Sequence, residues 1–130
     1  MVLVDTSIWI DFFQAPDCET ASVLTSLIKD HNRVVLCGIV LQEVLQGIRN
    51  QNSYDIVRVR LLTFPFVEAT RETWLLAARL YRDLRANGIT MPPVDVSIAA
   101  IAIQHDISLF SRDAHFSEVA KVSGLRLFAL

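Results

Sequence analysis

The chain has 130 residues, 52% of them hydrophobic, and a formal net charge of −2. That length suits a single domain with a substantial core, no apolar run approaches the roughly 18 uncharged residues of a membrane span, and the charge balance gives no bulk attraction for nucleic acid. No basic stretch precedes the first apolar run and Asp5 breaks that run early, so no signal peptide is expected and the cytoplasm is the default location.

Val2-Leu-Val4 reads as a short strand, apolar on both faces as in a buried parallel sheet. Asp5-Thr-Ser7 offers N-caps for a helix entering Ile8-Trp9-Ile10. The spacing of Ala21, Leu24, Leu27 and Ile28 predicts a helix over 17–31 capped by Asp17, with His31 at its end. Val34-Val-Leu36 is a second strand. Gly38 starts a helix to about Arg49, Asn50-Gln-Asn-Ser53 is a loop, and 54–63 is helical. Phe66-Val-Glu-Ala69 is a third strand. Thr70 caps a long amphipathic helix through Trp74, Leu75, Ala78, Leu80, Tyr81 and Leu84, stopped by Asn87-Gly88. Pro92-Pro93 then starts a helix over 94–105, with His105 at its end; it is apolar nearly all round and therefore interior. Ile107-Ser-Leu-Phe110 is a fourth strand, 114–121 a short helix, and Leu125-Arg-Leu-Phe128 a fifth strand. Strands alternating with helices predict an α/β fold with a parallel sheet of about five strands.

Cys18 and Cys37 have neither metal nor redox spacing and read as ordinary small residues. Ten of the twelve basic residues are Arg, which suits bidentate phosphate contacts. Arg79, Arg82 and Arg85 recur at helical spacing, a pattern that by itself describes a solvated helix face. The apolar excess points to a surface patch buried against a partner.

Four carboxylates stand against apolar runs. Asp5 ends the first strand, Glu43 interrupts Ile39-Val-Leu41 and Val44-Leu45, Asp95 opens the interior helix, and Asp113 follows the fourth strand by a short turn. Taken singly, each has an ordinary role: Asp5, Asp95 and Asp113 as caps, Glu43 in a solvated stripe with Gln42, Gln46 and Arg49. Ligands of parallel sheets bind beyond the carboxyl ends of the strands. Asp5 and Asp113 belong to that edge; Asp95 lies in the first turn of its helix and Glu43 one turn into the helix after the second strand, so both can reach it. Gly47, one turn beyond Glu43, would admit another backbone or a ligand. Gathered there, like charges raise one another's pKa, and a divalent cation relieves the repulsion. An all-oxygen donor set selects Mg²⁺ or Mn²⁺ over zinc. His115, near Asp113 in sequence, reads as a surface residue.

Val4-Asp5-Thr6-Ser7, the isolated Glu43, Asp95-Val-Ser-Ile-Ala-Ala100 and Leu109-Phe-Ser-Arg-Asp113-Ala-His-Phe116 together resemble the PIN-domain ribonucleases, and among them the VapC-type toxins of toxin–antitoxin systems. The resemblance runs from the first strand to the last. It implies a single PIN-like domain over 1–130, a three-layer fold with a central parallel sheet flanked by helices. It makes Asp5, Glu43, Asp95 and Asp113 the acidic quartet, with the metal, Mg²⁺ or Mn²⁺, held by Asp5, Asp95 and Asp113. It gives Thr6 and Ser111 supporting hydroxyl roles, with Ser7 a lesser candidate. It further implies RNA as substrate, a cognate antitoxin and a homodimer as partners, and no membrane. Ser111 stands where Thr is frequent in the family. Arg112 either touches phosphate or pairs with a nearby acid.

The activity so implied is metal-assisted hydrolysis of RNA phosphodiesters. A receiver-like signalling or binding module of parallel α/β fold is the alternative. It needs an Asp after a middle strand and a Lys after a late one, and neither Val34–Gly38 nor Phe66–Ala69 carries such an Asp. A binding subunit that kept the fold and lost catalysis is a further rival, and the complete quartet argues against it.

Overall fold

A computed structural model of the chain describes residues 1–30 and 33–129. In chain order the elements are β1 (Val2–Val4), α1 (Thr6–Gln14), α2 (Glu19–Lys29), β2 (Val34–Val35), α3 (Gly38–Gln46), α4 (Gln51–Leu61), α5 (Arg71–Ala86), α6 (Pro93–Gln104), β3 (Ser108–Phe110) and α7 (His115–Val122). The sheet has the order β2-β1-β3, all parallel, with Leu3 facing Val35 on one side and Leu109 on the other. Val2, Leu3 and Val4 are all buried. Since alternate side chains of a strand point to opposite faces, helices must cover the sheet on both sides, and an all-apolar strand follows from that.

The expected third and fifth strands shrink to single parallel bridges, Leu36 with Phe66 and Leu109 with Leu127, which flank the three strands on either side. Each has one neighbour only, and Pro65, whose carbonyl accepts from Leu36, has no N–H to extend the ladder. The α/β, parallel, helix-flanked architecture is as expected; the sheet is three strands with bridged margins.

Local chemistry accounts for most element ends. Thr70 and Thr73 form a capping box at the start of α5, and Gly88, at φ 76°, ends it in the left-handed region. Proline opens α6, whose Val96 and Ile98–Ala102 are buried. Two caps differ from expectation. Asn50 is no loop residue but the N-cap of α4, its side chain accepting from the Ser53 amide at 2.9 Å, so helix begins within the polar stretch. Cys18, not Asp17, is the N-cap of α2, with extended backbone and no side-chain cap bond. His31 lies outside the described residues. Among those described, no helix is long and apolar enough to cross a membrane.

Candidate functional site at the carboxyl edge of the sheet

β1 and β3 run side by side and deliver Asp5 and the 111–113 turn to one edge, where the Asp5 amide donates to the Phe110 carbonyl at 2.9 Å. Asp5 occupies the N-cap position of α1 yet caps nothing with its side chain. Its buried Oδ2 instead accepts from Ser111 Oγ at 2.7 Å and Ser7 Oγ at 3.1 Å. Ser111 Oγ in turn accepts the Asp113 amide at 3.0 Å, so one hydroxyl couples the ends of both strands.

Glu43 departs from the solvated stripe. Gln42 and Gln46 pair with each other on the exposed side of α3, while Glu43 Oε1 accepts from Thr6 Oγ1 at 2.8 Å, across 37 residues of chain. Asp113 is not the N-cap of α7, which is Ala114, but its Oδ1 accepts from the His115 amide at 2.9 Å and lies 2.8 Å from His115 Nδ1. Asp95 is in the first turn of α6, where the helix dipole favours negative charge, and among the described residues its carboxylate has no hydrogen-bond or ion-pair partner.

Electrostatics tie the four together. The Asp95 carboxyl is pushed up to about 6, first by burial and then by the negative charges of Asp5, Asp113 and Glu43, with His115 opposing. The Cys37 thiol, at the N-cap of α3, is pushed up chiefly by burial, with Asp5 and Glu43 adding to it. Among the described residues no Lys or Arg pairs with any of the four acids, and no three of them stand in ready-made metal-ligand geometry. Arg112, beside Asp113 in sequence, reaches Asp11 instead, Nε to Oδ2 at 3.3 Å. Four carboxylates at one sheet edge, three of them adding to the rise at Asp95, with hydroxyl donors and no arginine or lysine among their partners in the described residues, are a donor set that fits a hard divalent cation.

The sequence profile of the PIN domain matches residues 2–122. The chain belongs to the PIN-domain family. Ribonuclease VapC11 of Mycobacterium tuberculosis is 29% identical over 129 residues, 97% of this chain and 96% of that protein. Among solved structures, FitAcB from Neisseria gonorrhoeae superposes with a TM-score of 0.81 at 22% identity, covering 99% of this chain and 97% of its own. A toxin–antitoxin complex from Klebsiella pneumoniae gives 0.77 at 21% identity, covering 98% of this chain and 100% of its own. These likenesses carry the three-layer fold across the whole PIN domain.

Sequence reasoning undervalued two partners of the quartet. Ser7 shares the Asp5 oxygen with Ser111, and His115, read as a surface residue, is exposed but bonded to Asp113. The spacing i, i+2 from each acid was the available signal. Gly47 carries no close approach: a Cβ there would meet only carbonyl oxygens at 3.8 Å, an ordinary contact.

Proposed function

We propose that this PIN domain is a magnesium- or manganese-dependent endoribonuclease, the cytoplasmic toxin of a VapBC-type toxin–antitoxin pair. The observation that carries the reading is the Asp5–Glu43–Asp95–Asp113 edge, where burial and then the charges of the other three acids lift Asp95, and no Lys or Arg pairs with the acids among the described residues. The similarity to VapC11, named a ribonuclease, supplies the substrate class. The Klebsiella pneumoniae complex supplies the kind of partner.

Asp5, Asp95 and Asp113 would hold the cation. The bound ion supplies charge neutralisation at the phosphoryl oxygens and an acidified water. Ser111 and Ser7 fix the Asp5 carboxylate, and Ser111 also fixes the turn that presents Asp113. Thr6 holds Glu43, which orients the attacking water and takes its proton. Water oxygen attacks phosphorus, the bond to the 3′-oxygen breaks, that oxygen takes a proton from solvent, and the products carry a 5′-phosphate and a 3′-hydroxyl. The 2′-hydroxyl has no part in this route.

A cognate antitoxin and a second copy of the chain are the protein partners in this reading. Uncovered apolar side chains support both: Ile56, Val59 and Leu62 in and after α4, and Trp74 and Leu75 on α5. The test is cleavage of structured RNAs by wild type, Asp5→Asn and Asp95→Asn with Mg²⁺, Mn²⁺ or chelator. Cutting by wild type alone, abolished by chelator, is expected. Equal cutting by all three proteins would sink the mechanism.

A further inference from the structure

The acid edge repels RNA as well as cutting it. Four carboxylates outweigh one divalent cation by two charges, so affinity for a polyanion has to come from elsewhere on the surface. The candidates are the cations that, among the described residues, neither an acid nor a ring from another element engages. Arg33, Arg112, Lys121 and Arg126 are in ion pairs, and Arg60 lies over the rings of Phe12 and Phe13 at 5.1 and 5.4 Å. Lys29, Arg49, Arg58 and Arg71 are exposed, and Arg49 is the one cation in the lining of its groove. Arg79, Arg82 and Arg85 are different. They line one open groove of about 450 Å³ along the second half of α5, with Asp83 the only acid in its lining.

A structural explanation covers only part of this strip. The helix dipole favours cations in the last turn, which accounts for Arg85, itself stacked 5.7 Å over Tyr81. Arg79 is about two turns from the end, beyond that effect. Among the described residues none of the three has an ion pair, although Asp83 is beside them.

Position supplies the rest. α5 and α6 are antiparallel, since Thr70 and Thr73 bond Gln104 at one end and Arg82 shares a groove with Pro93 and Ser97 at the other. Arg82 therefore lies against the first turns of α6, the helix whose first turn carries Asp95, and Arg79 and Arg85 share its groove on α5. A strand cut at the acids reaches the strip with its flanking nucleotides.

We propose that Arg79, Arg82 and Arg85 form a phosphate track that holds single-stranded RNA beside the scissile bond. The proposal rests on the ribonuclease reading but is tested separately from it. In an Asp5→Asn background, binding of a labelled 20-nucleotide oligouridylate is followed by anisotropy from low to moderate KCl. The triple variant Arg79→Gln/Arg82→Gln/Arg85→Gln should bind at least about tenfold more weakly at low salt, with the log–log salt slope reduced by about 2, as three lost single-strand phosphate contacts require. A charge-matched control, Lys29→Gln/Arg58→Gln/Arg71→Gln, should keep the wild-type slope. In the active background the strip variant should raise KM and leave kcat unchanged. Circular dichroism of both triple variants confirms that they fold. Equal slope loss in the control, or an unchanged slope in the strip variant, would overturn the track. So would unchanged RNA binding with altered sedimentation, which would make the strip a protein interface. If wild type cuts no RNA yet the strip variant loses binding, the ribonuclease reading fails and the track stands.

Discussion

Two polar clusters of this domain are built in opposite ways. Where α5 meets the end of α6, the Thr70 amide donates to Thr73 Oγ1 at 2.9 Å, Thr73 Oγ1 donates to Gln104 Oε1, and Gln104 Nε2 returns to Thr70 Oγ1 at 3.0 Å. Thr73 is wholly buried, and its neutral ring closes on itself. At the carboxyl edge, by contrast, hydroxyls reach single oxygens of Asp5 and Glu43, Asp113 has only the backbone and side chain of His115, and Asp95 has neither hydrogen bond nor ion pair among the described residues. The first cluster is finished by folding. The second leaves carboxylates close together without cationic side chains among the described residues, the asymmetry on which the proposed cation site rests.

Substitutions in the two clusters should have opposite signatures. Asp5→Asn should lower RNA cleavage by at least about 10²-fold, while the metal-free protein melts no lower than wild type because a like charge has gone. Gln104→Leu should do the reverse, lowering stability by about 1–3 kcal/mol through an unpartnered Thr73 hydroxyl and leaving kcat of the folded fraction within about twofold. Chemical denaturation and steady-state cleavage on the same preparations check both. Next in size, Ser111→Ala should weaken apparent metal affinity by about 10–100-fold, the usual effect of removing a group that orients a ligand, measured by Mn²⁺-dependent activity.

Protons sharpen the contrast further. The folded protein holds the Asp95 proton more tightly than the unfolded chain does, so this group costs stability as pH rises from about 4 to about 6. Metal-free wild type should lose up to about 2 kcal/mol over that window, and Asp95→Asn should flatten the slope. Cation binding requires the ionised form, so apparent Mn²⁺ affinity should fall by about tenfold per unit below pH 6. The smallest effect belongs to Arg112→Gln. The half-exposed pair with Asp11 is worth no more than about 1 kcal/mol, and cleavage should stay near wild type.

Long periodic elements were legible in the sequence. Thr70, Asn87-Gly88 and Pro92-Pro93 punctuate α5 and α6, and local propensity decides such ends. The margins of the sheet were not, because pairing at Phe66 and Leu127 depends on a neighbour distant in sequence, and apolar runs look alike whether they pair over four residues or one. The polar run after α3 read as loop because Asn50 serves as a cap only in the context of the turn that follows. At the site, chain order and residue type pointed to the four acids. Which oxygen meets which hydroxyl, and that Arg112 turns to Asp11 rather than Asp113, follow from tertiary placement that spacing does not encode.

A site of this kind must take a cation at the acid edge. Titration of the metal-free protein with Mn²⁺, following the free ion by electron paramagnetic resonance, tests this directly. Saturable binding by wild type and Gln104→Leu, weakened by at least about tenfold in Asp5→Asn, is the predicted result. Equal binding by wild type and Asp5→Asn, or no binding by either, would contradict it.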